Sequence, residues 1–537
     1  MSEALRRFHP LVVGAAAGAA WADLLVGLNP GLLAPARALS LGLLTAALGA
    51  LVATPFLLLP ARSRGDRRQH GGGAVLFALS ASLFAAFAEA QRLIFYTFVA
   101  GGARRVLGAV AVVAGLWALV ALVSAFLRPR HTGHAAPLPA LFFGLFLALP
   151  LLAGRAVPPA MLATLPSLPA ATTRSLLIVG LEGVSWELVT AKASEGSLPT
   201  LADLLKKGAA GPLASVAAVE QAALWTTAAT GKRPFKHGVV AEEVRETPAG
   251  LLRLQTILPG SSLRLGLPFA SARRSRPASR SLPFWEILAR RGHETAVFGW
   301  PAAPASGGDH LLELFRVDPS RLDRPVVRSL SPSGLPPDLA ARTTLSAAAR
   351  DLTVLGAALG TPPQGPNNVL VLVLSGAAHV SRPFGAAGDA HYWGLPVPDA
   401  GPKARALDAY YRFLDDLLHD LLEREGRDRT ICVFSPVSYG PPPPLDALGA
   451  FVRAVPPSAS PDAGADGFLV LAGAGIRAGV RLTSAQLLDL APTLLVLAGE
   501  PMARDMDGRV LAEAFDERFA GSASISIVTT FEPEGPQ

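Results

Sequence analysis

Two hydrophobic rhythms divide the chain. Before residue 160 the apolar runs are long and the breaks between them carry arginine; after residue 170 the runs shorten to strand length and alternate with amphipathic stretches. A bilayer needs roughly 20 apolar residues per helix. Five stretches meet that length, at about 11–29, 40–60, 74–99, 106–127 and 136–154. Each predicts a membrane-spanning helix. The first run is long and rich in Ala and Gly, and four more spans follow it, so no cleaved signal peptide is expected.

Strand-like runs follow at 175–181, 295–300, 369–374, 430–435 and 467–472, and helical spacing appears at 198–207, 284–291 and 404–425. In the last of these, Leu407, Tyr410, Tyr411, Leu414, Leu417, Leu418, Leu421 and Leu422 recur at the period of an α-helix. Continuous apolar strands alternating with helices predict a mostly parallel sheet covered on both faces. The sequence therefore predicts a transmembrane domain over 1–156, a Pro-rich linker over 157–173, a globular α/β domain over 174–530 and a tail over 531–537.

Charge placement sets the expected orientation. Arg6, Arg7, Arg62, Arg64, Arg67, Arg68, Arg128 and Arg130 lie on one side of the spans, against Arg37, Arg104, Arg105 and Arg155 on the other. The positive-inside rule then puts the N-terminus in the cytoplasm and everything after about residue 156 outside it, periplasmic or extracellular. Half of the 537 residues are hydrophobic and 17% are charged, against about 25% in soluble domains. The net charge of +7 is carried largely by arginines flanking the apolar runs, so it requires no nucleic-acid partner. The expected partner is the lipid bilayer. The arginines of 264–280 could meet anionic lipid head groups, and the Pro441–Pro444 run could meet a protein. Glu89 and Arg92 share one face of the third span and read as an ion pair. The single cysteine, Cys432, excludes an intramolecular disulfide and reads as a small core residue.

In sheets of this kind, chemistry gathers past the carboxyl ends of the strands. The loops there hold Glu182, the stretch 211–238, Ser375 with His379, Pro436 with Val437, and the stretch 460–468. Their wording carries a resemblance. The motifs "LLIVGLEGVSWELV", "LPTLADLLKKGAAGPL", "WTTAATGKRPFKHG" and "PFWEILARRGHETAVFGWP", with the segment from "ADGFLVLAGAGIRAGVRL" to "DMDGRVLAEAF", occur in order over 174–530. Together they resemble the type I phosphodiesterase/nucleotide pyrophosphatase branch of the alkaline phosphatase superfamily.

That resemblance implies an alkaline-phosphatase-like fold and a site of two zinc-like divalent metals with a Thr or Ser nucleophile. Carried over residue by residue, it places the first metal-binding carboxylate on Glu182, the nucleophile on Gln221, an Asp-x-x-x-His pair on Ser375 and His379, an Asp-His pair on Pro436 and Val437, and a last His near Ala463. Glu182 and His379 remain as potential ligands, and an amide cannot accept a phosphoryl group as the nucleophile does. No cofactor is then expected. If the site is active after all, two zinc-like metals are. The reading that follows is a membrane-anchored, extracytoplasmic, non-catalytic relative that binds or assembles. The alternatives are an active metal-dependent phosphodiesterase or phosphatase with a rebuilt site, and a lipid head-group phosphotransferase. A rebuilt site would draw a nucleophile from Ser215, Thr226, Thr227 or Ser375 and ligands from Asp389, His391, Asp462 or Asp466. His237 reads as structural, His131 and His134 as no metal site, and Asp489, Asp505 and Asp507 as helix caps, with Asp507 opening a helix over "GRVLAEAF".

Overall fold

The computed structural model describes residues 174–216, 221–239, 243–247, 250–252, 271–274, 279–301, 339–360, 368–384, 391–392, 395–396, 400–426, 428–439, 466–522 and 525–532, with scattered helical positions between 43 and 119. Among the described residues no helix is long and apolar enough to cross a membrane. Most of the five expected spans, the linker, Arg92 of the Glu89–Arg92 pair, His131 and His134, most of the 264–280 loop, Pro441–Pro444, Asp389, Asp462 and Ala463 lie outside them.

The chain divides into two compact units. One holds residues 1–158, 241–258 and 263–275; the other holds 159–240, 259–262 and 276–537. In the first unit, β3 (Glu243–Thr247), β4 (Gly250–Leu252) and β5 (Ser271–Arg274) form a small antiparallel sheet.

The second unit is the α/β domain. Its elements, in chain order and counting the small sheet as β3–β5, are β1 (Leu176–Leu181), α1 (Trp186–Ser194), α2 (Pro199–Lys207), β2 (Ala209–Ala214), α3 (Gln221–Thr230), α4 (Pro234–His237), α5 (Phe284–Arg290), β6 (Glu294–Phe298), α6 (Leu339–Gly360), β7 (Asn368–Leu374), α7 (Gly376–Phe384), β8 (His391–Tyr392), β9 (Leu395–Pro396), α8 (Ala400–Glu425), β10 (Thr430–Ser435), β11 (Gly467–Gly473), β12 (Val480–Arg481), β13 (Ala485–Gln486), α9 (Leu490–Leu497), β14 (Met502–Ala503), α10 (Glu517–Ser522) and β15 (Ile527–Val528). The main sheet runs β12-β2-β11-β10-β1-β7-β6, with β13 also on β2. β11 is antiparallel to both its neighbours, and every other pairing is parallel. The sheet is therefore mixed, with one reversed strand.

All six residues of β1 are buried, as sheets clad on both faces require. Leu177, Val179 and Leu181 join one cluster with Leu370, Leu372 and Leu374 of β7 and with apolar residues of α2, α6 and α8. Successive side chains alternate across a strand. Gly180 accordingly points to the opposite face, where α3, α5 and α9 pack together.

Two helices on the first face are capped from their neighbours. Asp415 of α8 accepts from the amides of Thr200 and Leu201 at the start of α2, at 2.9 and 2.8 Å. Asp351 of α6 accepts from Gly376 at the start of α7, at 3.0 Å. Each carboxylate satisfies amides that have no partner inside their own helix.

The stretch expected as a loop, 211–238, instead completes β2 and forms α3. β2 reads "AAGPLA", with Gly and Pro where a strand signal should be. Gly211 is needed there, because a Cβ would stand 1.9 Å from the carbonyl of Leu482. Asp507 also departs from expectation. It accepts from the amide of Arg233 at 2.9 Å and pairs with Lys236 at 2.7 Å, so its carboxylate is committed across the fold. Within the expected helix over 508–515 only a short 3-10 turn, Ala512–Ala514, forms. The domain continues through Glu532, which pairs with buried Lys232 at 2.5 Å.

Candidate functional site

The sheet order β10-β1-β7 sets three strand tips side by side. Ser375 follows β7, Glu182 follows β1, and Pro436 and Val437 follow β10. The line is stitched by backbone: Glu182 donates its amide to the Leu374 carbonyl at 3.0 Å, and Gly183 bridges Ser438 in parallel. Ser435 Oγ accepts from the Val184 amide at 3.2 Å and donates to the Val437 carbonyl at 2.8 Å.

α3 lies over β1 and brings in a fourth position. Trp225 sits above Gly180, so close that a Cβ on that glycine would come within 2.7 Å of the indole. One helical turn earlier on α3, and two residues later on β1, Gln221 meets Glu182. The two spacings match, because a helical turn and two strand residues both advance about 6 Å. The Gln221 side-chain amide donates to the Glu182 carboxylate, which is 1% exposed. An aromatic cluster backs this contact: Trp225 packs on Trp300 and Phe434 with ring centroids 5.0 and 5.6 Å apart.

His379 stands in the first turn of α7, its amide donating to the Ser375 carbonyl at 3.3 Å, and its side chain is exposed. Partial burial lowers its proton affinity, and the positive charges of Arg350 and Arg382 lower it further. The Arg382 guanidinium also lies over the Tyr439 ring, 5.8 Å from its centroid. Beneath the turn, Asp351 and Tyr410 form a buried pair at 2.6 Å. A Cβ on Gly376 would lie 1.7 Å from Tyr410 Oη.

The other expected residues fall as follows. Pro436 and Val437 are buried. Thr226 and Thr227 are buried within α3. Thr226 Oγ1 donates to the Ala222 carbonyl at 2.7 Å, and Thr227 Oγ1 meets His237 Nε2 at 3.1 Å. His237 Nδ1 accepts from the Val239 amide at 3.1 Å, so Nε2 carries the proton and donates to Thr227. Burial first, and then Lys232, holds the imidazole neutral, with its pKa pushed down to about 3. His391 lies on the β8–β9 ribbon and Asp466 is exposed before β11. Ser215 follows β2 and is half-buried. Asp489 takes part in a capping box with Gln486, and Asp505 pairs with Lys232 at 2.6 Å.

Residues 176–435 match the sequence model described as type I phosphodiesterase / nucleotide pyrophosphatase. Over that segment the chain is similar to the type I phosphodiesterase / nucleotide pyrophosphatase family. The domain is similar to a multiply substituted variant of the alkaline phosphatase PafA, at 11% identity and TM-score 0.42, covering 65% of this chain and all of that one. It is similar to the phosphonate monoester hydrolase SpPMH from Silicibacter pomeroyi at 16% identity and TM-score 0.38, covering 65% and 77%. It is also similar to a 2-O GAG sulfatase at 13% identity and TM-score 0.41, covering 65% and 74%. No curated protein sequence matches the chain.

The phosphodiesterase family is typically metal-dependent, and among the described residues the donors at the strand tips do not fit that role. At the strand tips, the Glu182 carboxylate accepts from the Gln221 amide, and Pro436 and Val437 offer apolar carbon. Among the described residues no group of three or more His, Cys, Asp or Glu side chains is placed to hold an ion. Sequence reasoning did not single out Gly180, Trp225, Arg350, Asp351 or Arg382. A glycine inside a buried apolar strand marks close approach by another group, and Gly180 carried that signal.

Proposed function

We propose that this chain is a membrane-anchored relative of the type I phosphodiesterases whose extracytoplasmic domain works as a binding or assembly module. The observation that supports this reading best is at the tip of β10. Pro436 and Val437 are buried there, at the positions where the family resemblance expects an Asp-His ligand pair. The nucleophile position holds Gln221, whose amide is already donated to Glu182. Loss of nucleophile and ligands together removes both halves of a two-metal displacement.

The anchor rests on the five apolar runs and their arginine bias. It predicts that the chain stays with membranes through carbonate extraction. It also predicts that the domain is cut by protease added to spheroplasts or intact cells. Partners on this reading are the bilayer with its anionic head groups, or a membrane-associated protein.

The test is turnover and metal content of the purified full chain. Assay with aryl phosphodiesters and monoesters, with zinc and manganese supplied, should yield no hydrolysis above the rate of a Glu182→Gln, His379→Ala variant. Hydrolysis lost in that variant would establish a rebuilt site instead. A covalent phospho-adduct formed from labelled lipid would establish head-group transfer.

A further inference from the structure

We infer that the chain has replaced a cation of this cleft with one of its own side chains: the Gln221 amide serves Glu182 as a metal ion would. This deepens the non-catalytic reading of the same site and rests on it.

Glu182 is almost wholly buried. A buried carboxylate demands a donor or a cation. Gln221 supplies a donor at Oε1, and it does so from the first residue of a ten-residue helix, where the helix dipole also favours negative charge. The amide is held in place. Trp225, one turn further along α3, is locked over Gly180 and under Trp300 and Phe434. A metal ion at this carboxylate would have to displace an amide that the helix packing keeps aimed at it.

The experiment uses the purified full-length chain in detergent, stripped with chelator and then titrated with zinc or manganese ions. Thermal midpoint and bound metal are read together. The wild-type chain should keep its midpoint in chelator and gain none with metal. Gln221→Glu should lose several degrees in chelator, because two carboxylates would then face each other, and should recover when metal is added. The exchanged double variant, Glu182→Gln with Gln221→Glu, restores an amide–carboxylate pair and should melt close to wild type without metal. It also keeps the idea testable if Gln221→Glu alone does not fold.

Near-stoichiometric metal on the wild-type chain, lost in Glu182→Gln, would overturn the inference. So would a Gln221→Glu variant as stable in chelator as wild type. Turnover that survives chelation would overturn the non-catalytic reading while supporting the replacement of metal. Metal-dependent stability without turnover would do the reverse.

Discussion

The indole of Trp225 fills the space that any side chain at position 180 would need, 2.7 Å from where a Cβ of Gly180 would stand. That contact sets the depth at which α3 meets β1, and with it the reach of Gln221 to Glu182. Gly180→Ala should overpack the contact and cost roughly 1–3 kcal/mol. Denaturant unfolding would measure it. The companion Trp225→Phe should relieve part of the clash in the double variant, and a lack of coupling between the two would refute the contact.

Asp351 makes stability depend on pH. Burial pushes its carboxyl up to about 7, against the opposing pull of Tyr410 and the Gly376 amide. The folded state therefore holds a proton that the unfolded chain releases near its ordinary carboxylate value. Linkage then gives a contribution that is full below about pH 4 and is lost as pH rises through about 7. Asp351→Asn keeps an acceptor for Gly376 and should flatten this part of the profile. Unfolding midpoints between pH 4 and 8, compared for the two proteins, decide the matter. Parallel profiles would rule Asp351 out.

Lys232 is 4% exposed and holds both Asp505 and Glu532. Glu532 Oε1 also accepts from the Leu282 amide at 3.2 Å, and Thr530 bonds both carboxylates. Lys232→Met would strand two carboxylates. Removing one partner of a buried ion pair costs roughly 3–5 kcal/mol, and the lower end applies because Asp505 reaches solvent. Limited proteolysis should then cut the segment after Gly521 faster than in wild type.

His237 should remain a neutral, Nε2-protonated ring down to about pH 4, because burial and Lys232 hold its pKa near 3. Its folded pKa is depressed, so its contribution to stability is present above about 6.5 and is lost as pH falls. Nitrogen chemical shifts of the ring report the tautomer directly. A shift pattern of the doubly protonated ring at pH 5 would contradict the geometry.

Cys432 lies in β10 and is wholly buried, which raises its thiol far above the ordinary range. It should react with a thiol reagent only as the domain unfolds. Labelling at the native rate of a surface thiol would place β10 elsewhere.

Much of this fold was readable along the chain. β1, β7, β10 and β11 coincide closely with the apolar runs, since a strand buried on both faces must be apolar throughout, and β6, the half-exposed edge strand, overlaps its run from Thr295 to Phe298. α8 showed itself through eight apolar positions at helical spacing. β2 did not, because Gly211 and Pro212 erase the local signal, and its strand identity comes from pairing with β11. The helix expected after Asp507 did not form, because that carboxylate is spent on Arg233 and Lys236, which lie far away in sequence.

The same division holds for the site. By itself the sequence determined which chemical groups stand at the family positions: an amide at 221, a hydroxyl at 375, proline and valine at 436 and 437, and a carboxylate and an imidazole at 182 and 379. Those are properties of single residues and need no neighbours. The tertiary structure decided what the groups do to one another. Gln221 binds Glu182, Arg382 lies over Tyr439, and Asp351 braces the turn beneath Ser375. Each of these depends on a distance between chain segments, and distance across a fold is set by packing, which no local pattern encodes.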